Sequence, residues 1–389
     1  MRELSSAHRD LRTPRVVVSS AGVFHAYHLA RGVQAAGYLH RFITSIYSRY
    51  ETGIDMRKVT QLPLAAGLAS AIRTLPGEAP RLASYLLGDS FYDRMASMHI
   101  RDADIFHVFN NQGLRSIRMA KARGAVTVVA RSSAHARAQE RILTGESRFA
   151  KGTTKLSRLL VERHIAEYDL ADFIFVPSKF VWETMVQEGV SEEKLRRVHL
   201  GFDPTRFYPG EKKDDVFRIM YAGGLSLQKG IPYLMEAFAE MNLPNSELLL
   251  VGDAYPDARA ALREYSGLFR HMRFVPQHEL VYYYQQASVF VLPSLQDGFG
   301  MVVYEAAGCG LPVIITENVG AEVRHGEDGF VVPIRDANAL AEKLRFFHEH
   351  PEERKRMGRA ACDYVQQFTW QNYHREVIEH YDLILAQRR

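Results

Sequence analysis

A pattern of apolar strand, glycine turn and helix runs from Arg15 to about Leu200 and starts again at Phe217. The chain has 389 residues, more than one ordinary core organises. Its two halves are of similar size, and each follows the βα grammar of a parallel sheet. These observations predict an α/β protein of two Rossmann-like, doubly wound domains facing across a cleft. The boundaries fall at 1–200 for the first domain and 201–369 for the second. Residues 370–389 form a closing helix expected to pack back on the first domain, and residues 201–216, rich in proline, glycine and charge, read as the linker. Hydrophobic residues make up 47% and charged residues 24%, a globular balance that excludes general disorder. Cys309 and Cys362 are too few for a disulfide framework, which fits a reducing cytoplasm. Met1 to Arg15 is polar and basic with no apolar core, so no signal peptide is expected. No apolar run approaches the roughly 20 residues of a membrane span.

The first domain opens with a buried strand at Arg15–Ser20, then Ala21-Gly22 and a helix to about Ala36, ended by Gly37. Gly22 reads as a tight-turn residue; at the mouth of a cleft, its missing side chain would leave room for a sugar. From Met56 to Leu87 short apolar groups alternate with Arg57, Lys58, Arg73 and Arg81. Leu62, Leu64, Ala65, Leu68, Ala69 and Ile72 share one helical face. That face reads first as a cover for the sheet, with a membrane interface as the alternative. Asp102-Ala103-Asp104 has the form of a divalent-metal motif, but it immediately precedes the strand Ile105–Phe109, where acidic turn formers are common. No further ligand is evident, and no metal is expected. Asn110 to Gly113 give that strand a polar C-terminus of the kind that lines α/β clefts. The strand Ala125–Ala130 leads into Arg131-Ser132-Ser133-Ala134-His135. A lone histidine is usually structural, but the end of a parallel strand is where site residues gather. A helix over 155–168, a strand at Phe173–Val176 with Pro177-Ser178 after it, a helix to Gln187 and a short strand at Leu195–Leu200 complete this half.

In the second half, Phe217–Ala222 is a strand, Gly223-Gly224 a turn, and Lys229-Gly230 the start of a helix to about Met241. Further strands are expected at Leu248–Val251 and Met272–Val275, and a helix around Glu279–Gln286. The stretch from Pro293 to Ile315 then reads strand end, glycine loop, helix, glycine stop, strand. A helix over Met301–Ala307 would present free N–H groups to an anion. Two carboxylates, Asp297 in the loop and Glu305 in the helix, suit the hydroxyls of a sugar or ribose. The combination suggests a bound nucleotide sugar. Lys229 at its helix mouth could hold a diphosphate; at ~4 Å and an effective dielectric near 20, such a contact is worth about 4 kcal/mol before desolvation. The glycine turn is not a P-loop, because G-x-x-x-x-G-K-[ST] is absent, and Gly22 does not make a G-x-G-x-x-G fingerprint. Residues 337–350 and 368–385 read as the last helices.

Charge is unevenly placed. Residues 1–170 hold 25 lysines and arginines against 14 aspartates and glutamates, a balance of +11 within a chain of net charge +4. Scattered surface charge is one reading; a basic first domain facing an anionic membrane surface or an acidic acceptor is the other. No nucleic-acid motif accompanies the charge, so nucleic acid is not an expected partner.

The segment PSLQDGFGMVVYEAAGCGLPVI, residues 293–314, resembles the signature of the family 4 retaining glycosyltransferases of the GT-B fold. YAGGLSLQKGIPYLMEAF resembles that family's phosphate loop, and RRVHLGFDPTRFYP its inter-domain segment. DLADFIFVPSKFVWETMVQEGV and FTWQNYHREVIEHY fit as well, so the similarity is dense from about Arg131 onward. The resemblance implies a GT-B hexosyltransferase-like enzyme of polysaccharide or cell-envelope biosynthesis. It implies no cofactor and no metal, a nucleotide-sugar co-substrate (UDP-sugar favoured over GDP-sugar) and a glycan or lipid-linked acceptor. The cysteine count makes the expected location cytoplasmic, and the basic first domain adds peripheral attachment to the inner face of the membrane as an option. The resemblance also implies roles for matching positions. Glu305 would bind the donor ribose, and Asp297 the donor sugar hydroxyls. Backbone N–H groups of Phe299, Gly300 and Met301 would contact sugar and phosphate, and Lys229 the phosphate. His135 would lie near the donor sugar, and Val275 in the segment that holds the base. Asp297, Lys229 and His135 form the implied catalytic set, with Gly22 on the acceptor side. Two positions depart from the pattern. Aspartate at 297 is one methylene shorter than the usual glutamate. Gly224 stands where many members carry an arginine, which leaves Lys229 alone or aided by Arg131. An epimerase of the same fold and a non-catalytic nucleotide-sugar-binding protein are the alternatives.

Overall fold

A computed structural model describes residues 13–22, 25–48, 53–74, 82–146 and 158–388. The basic start of the chain, Arg81 and residues 155–157 of the expected helix lie outside them. Seven strands, β1 (Val16–Ser20), β2 (Leu39–Thr44), β3 (Val59–Gln61), β4 (Ile105–Phe109), β5 (Val126–Ala130), β6 (Phe173–Val176) and β7 (Leu195–Arg197), order as β3-β2-β1-β4-β5-β6-β7. Six more, β8 (Phe217–Ala222), β9 (Ser246–Val251), β10 (Phe269–Met272), β11 (Val289–Leu292), β12 (Val313–Thr316) and β13 (Gly329–Val332), order as β10-β9-β8-β11-β12-β13. Neighbouring strands run parallel. In each sheet the order reverses at the first strand, giving switch points beside β1 and β8, where α/β proteins place ligands. Central strands such as β1 and β11 are buried along their whole length, which is why β1 opens on Val16 to Val18 and β11 is apolar throughout.

Among the described residues, the α-helices of the first half are α1 (Ala26–Ala35), α2 (Pro63–Arg73), α3 (Asp89–Ser97), α4 (Leu114–Ala122), α5 (Ala136–Thr144), α6 (Arg158–Leu170) and α7 (Lys179–Gln187). Those of the second half are α8 (Ile231–Met241), α9 (Arg259–Glu264), α10 (Gln277–Gln285), α11 (Met301–Gly308), α12 (Ala337–Glu349), α13 (Pro351–Val365) and α14 (Trp370–Gln387). Spatial contacts divide the chain into two compact units. The first comprises Met1–Val129, Asp169–Asp172 and Val377–Arg389; the second comprises Ala130–Tyr168 and Phe173–Glu376.

In the first unit, buried polar pairs tie helices to the sheet. The Tyr92 hydroxyl donates to the Ile43 carbonyl at 2.9 Å and shares a 2.9 Å bond with Ser19 Oγ. The Asp93 carboxylate accepts the N–H groups of Arg115 and Ser116 at the start of α4. Asp104 accepts the Arg15 N–H at 2.8 Å, so this carboxylate of the D-x-D pair fastens the entry to β1. Leu62, just before α2, and Ala65 within it are buried, while Leu64 and Leu68 lie outside, at 69% and 39% exposure. The single apolar face expected over 62–72 is therefore split. Positions 62, 65 and 69 face the protein, while 64 and 68, one turn apart, sit round the helix from them.

Two expected strands end earlier. β10 occupies Phe269–Met272 rather than Met272–Val275, because its register with β9 pairs Phe269 with Leu248 and Met272 with Val251. Beyond it, Arg273 turns to the Asp253 carboxylate at 2.7 Å and Phe274 is exposed. β7 stops at Arg197 rather than Leu200, since His199 directs its N–H to the Glu376 carboxylate at 3.0 Å instead of to a strand.

Candidate functional site

Within the second unit, two glycine loops follow the adjacent strands β8 and β11. The first, Gly223–Gly230, enters α8, and the second, Pro293–Gly300, enters α11. They touch backbone to backbone. Leu295 donates its N–H to the Gln228 carbonyl at 2.8 Å, and a Cβ on Gly230 would lie 1.8 Å from the Pro293 carbonyl oxygen. Gly230 also has φ +70°, so no other residue fits there without moving the second loop. This contact delivers the Lys229 ammonium to the Asp297 carboxylate, and the two form a direct ion pair. The other oxygen of Asp297 accepts the N–H groups of Phe299 at 3.3 Å and Gly300 at 3.1 Å. Two of the three backbone donors singled out for a ligand thus already hold a carboxylate, at the end of the helix that favours negative charge. The third, Met301, begins α11 with an exposed side chain.

Glu305 projects from α11 one turn further on, and the Tyr284 hydroxyl of α10 donates to its Oε2 at 3.1 Å. Burial pushes its carboxyl up to about 7, against the opposing pulls of the Tyr284 hydroxyl and the Arg206 charge. Near neutral pH, Glu305 is therefore divided between its charged and neutral forms. Asp297 is held by a cation and two N–H groups, whereas Glu305 has one hydroxyl donor.

His135 caps α5. Its Nδ1 accepts the Arg137 N–H at 3.3 Å, which leaves the proton on Nε2. Its own N–H donates to Thr184 Oγ1 at 3.0 Å. Burial lowers its pKa to about 4 despite Glu188 at 4.0 Å, so the ring is neutral at pH 7 and the Glu188 contact is not an ion pair. The preceding loop is braced by Arg131, whose Nε lies 3.0 Å from the carbonyls of both Ser133 and Ala134. That guanidinium also donates to Gln139 at 2.9 Å, and it would have to leave these partners to help Lys229 with a phosphate.

The His135 loop lies directly on the second glycine loop. A Cβ on Gly298 would sit 1.9 Å from the Ser132 carbonyl oxygen. Ser178 joins the same point by donating to the Gly298 carbonyl at 2.7 Å while its oxygen accepts the Val181 N–H and caps α7. The structure thus brings together His135, Lys229, Asp297, Phe299 and Gly300, with Glu305 further along α11. Gly224 is in the first loop, and a Cβ there would be 2.5 Å from the Tyr255 ring. Tyr255 therefore fills the space an arginine side chain would need to leave position 224. Val275 is half-buried in the loop between β10 and α10. Gly22 belongs to the first unit, in a turn where its N–H meets Ser20 Oγ at 3.3 Å. Ser178, Tyr255 and Tyr284 are the neighbours that motif reading missed. Pro177-Ser178 at a strand end was the one visible signal among them.

Residues 204–363 match the family model described as glycosyl transferases group 1. The similarity to this family lies in that segment, within the second unit. The chain is 29% identical over 242 residues to the D-inositol 3-phosphate glycosyltransferase of Kribbella flavida, covering 55% of this chain and 57% of that relative. A second such enzyme, from Corynebacterium urealyticum, is 29% identical over 58% of this chain and 59% of its own length. The chain thus spans less than two thirds of the curated relatives it matches. Among solved structures, sucrose-phosphate synthase from Thermosynechococcus elongatus superposes with a TM-score of 0.74 at 22% identity, over 97% of this chain and 100% of that one. Anabaena HepE in complex with UDP gives a TM-score of 0.66 at 15% identity, over 95% and 99% of the two chains. At these identities the likeness is one of fold, and that fold is GT-B, as the motifs implied.

Proposed function

We propose that this protein is a retaining glycosyltransferase that moves a sugar from a nucleoside diphosphate sugar, UDP-linked in the first instance, to a glycan or lipid-linked acceptor. The observation that carries the reading is the Lys229–Asp297 pair at the mouth of α11, with Glu305 one turn along the same helix. A cation, a helix N-terminus and a carboxylate able to accept from a diol are the groups a nucleotide diphosphate and its ribose require. The UDP in the HepE structure supports this class of donor, and the names of the curated relatives support glycosyl transfer.

In this mechanism the nucleoside diphosphate leaves as an anion, stabilised by Lys229 and the N–H groups at the start of α11. Its phosphate accepts the proton of the acceptor hydroxyl as the new glycosidic bond forms on the face the phosphate leaves. Asp297 holds donor sugar hydroxyls, and neutral His135 donates from Nε2 to the sugar. No metal is required by this scheme, because the positive charge comes from the chain. Attachment to an anionic membrane through the basic first domain is part of the proposal; the exposed Leu64 and Leu68 of α2 support it.

The test is a thermal-shift panel of UDP-, GDP- and ADP-sugars, followed by product analysis with inositol phosphate, glycan and lipid-linked acceptors. A saturating donor at 100 times its dissociation constant stabilises by about 2.7 kcal/mol. Transfer with retained anomeric configuration is expected. No donor binding, or donor conversion without an acceptor, refutes the reading.

A further inference from the structure

We propose that Glu146, Tyr233 and Arg335 form a positioning clamp that fixes the helix beginning at His135 against the loop carrying Lys229. The clamp's effect on rate rests on the transferase reading above; its mechanical effect does not. Glu146 stands just past the end of α5 and is buried, at 3% exposure. Its carboxylate accepts the Tyr233 hydroxyl proton from the first turn of α8, and the Arg335 Nε–H at 3.1 Å. A second nitrogen of Arg335 donates to the Ile142 carbonyl in the last turn of α5. A buried carboxylate is stable only when it is paired and hydrogen-bonded, and here α8 and the segment after β13 supply the partners. Arg335 itself has φ +62°, a backbone conformation that few side chains adopt.

Beneath these groups lies a small apolar cluster. Leu227, Tyr233 and Leu295 are its buried members, and Ile142 and Ile334 pack against them. Leu227 is two residues before Lys229, Leu295 is two before Asp297, and Ile142 is on α5. The cluster therefore joins the three segments that carry His135, Lys229 and Asp297, and the clamp closes it from the α5 side. The other end of α5 is fixed at His135 by Thr184 and at the preceding loop by the Ser132–Gly298 contact. A helix held at both ends transmits position as a rod. Loosening the far end would shift His135 relative to Lys229, and displacements near 1 Å cost on the order of a hundredfold in rate.

Three variants test this: Tyr233→Phe, which removes one hydroxyl; Glu146→Gln; and the double variant Glu146→Gln with Arg335→Met, which leaves no unpaired buried charge. Each is assayed for kcat, donor KM and amide hydrogen exchange across residues 137–144. We expect kcat to fall by about tenfold to a hundredfold with donor KM within about threefold, and α5 amides to exchange faster. If Glu146→Gln does not fold, the other two decide. A folded variant with unchanged kcat and unchanged α5 exchange overturns the clamp, as does a rise in KM with kcat intact. If the parent protein transfers no sugar, the transferase reading fails, and α5 exchange alone decides the clamp.

Discussion

Lys229 is paired with Asp297, so a donor diphosphate must take the lysine from a carboxylate. Asp297→Asn tests this. The amide keeps an oxygen for the Phe299 and Gly300 N–H groups, at 3.3 and 3.1 Å in the parent, but removes the negative charge facing Lys229. Two unit charges ~4 Å apart at an effective dielectric near 20 attract by about 4 kcal/mol. The Lys229 and Asp297 side chains retain 26% and 17% exposure, and solvent reduces the net value. A charged hydrogen bond contributes roughly 1.5–3 kcal/mol. Even the lower part of that range, returned to the ligand, tightens UDP binding by about tenfold.

Titration calorimetry at fixed ionic strength on four proteins measures it: the parent, Asp297→Asn, Lys229→Met and the double variant. Tenfold tighter UDP binding is expected in Asp297→Asn and about tenfold weaker binding in Lys229→Met. A coupling of 1–2 kcal/mol between the sites is expected, within the range for residues in contact. Turnover should move the other way, falling in Asp297→Asn because the sugar loses its carboxylate. The competition is refuted if Asp297→Asn binds UDP no more tightly than the parent. It is also refuted if the gain is the same with and without Lys229.

Glu305 predicts a pH dependence. Its folded pKa, about 7, lies above the ordinary 4.5, so the folded state holds the extra proton between these values and loses stability as pH rises through them. Glu305→Gln should match the parent near pH 4.5 and exceed it above pH 7 in urea unfolding. The limit is about 3 kcal/mol, reduced by the residue's remaining contact with water; equal pH profiles would refute the assignment. Gly298→Ala should destabilise by about 1–3 kcal/mol and cut transfer on the order of a hundredfold, because the new methyl meets the Ser132 carbonyl at 1.9 Å. Gly67→Ala, with nothing within 4 Å, is the control and should be neutral or stabilising by about 1 kcal/mol. Ser178→Ala should cost about 1–3 kcal/mol in chemical unfolding, since one hydroxyl both caps α7 and holds the Gly298 carbonyl.

The elements legible in the sequence were those whose surroundings leave a local mark. β8 and β11 are central strands with apolar runs at Ile219–Ala222 and Val289–Leu292, and the glycines and charges after them mark loops at strand ends. β2 was not anticipated because His40 and Arg41 interrupt its run. β10 was misplaced by three residues because, as an edge strand, it is largely exposed and Phe269 to Met272 carry no strong pattern. Within the site, the kinds of residue were readable and their partners were not. Tyr284 precedes Glu305 by 21 positions, and only the pairing of β11 between β8 and β12 sets α10 beside α11. Tyr255 answers the missing arginine at 224, but nothing local to position 224 announces it.

The shortened side chain at 297 gains its meaning from this geometry. An aspartate can bend back onto N–H groups two and three residues ahead, forming the local turn that competes with outward contacts. Asp297 does so, and it holds Lys229 with its other oxygen. The first carboxylate, the lysine and the helix mouth thus satisfy one another. Glu305, beyond the reach of that network, keeps a carboxyl that titrates near neutrality. A ribose diol donates to the ionised form and so favours it. Donor binding should therefore tighten as pH rises through 7 and release a proton, a linkage that calorimetry in buffers of different ionisation enthalpy resolves. Proton release that persists in Glu305→Gln would assign it to another group and separate the two carboxylates' roles.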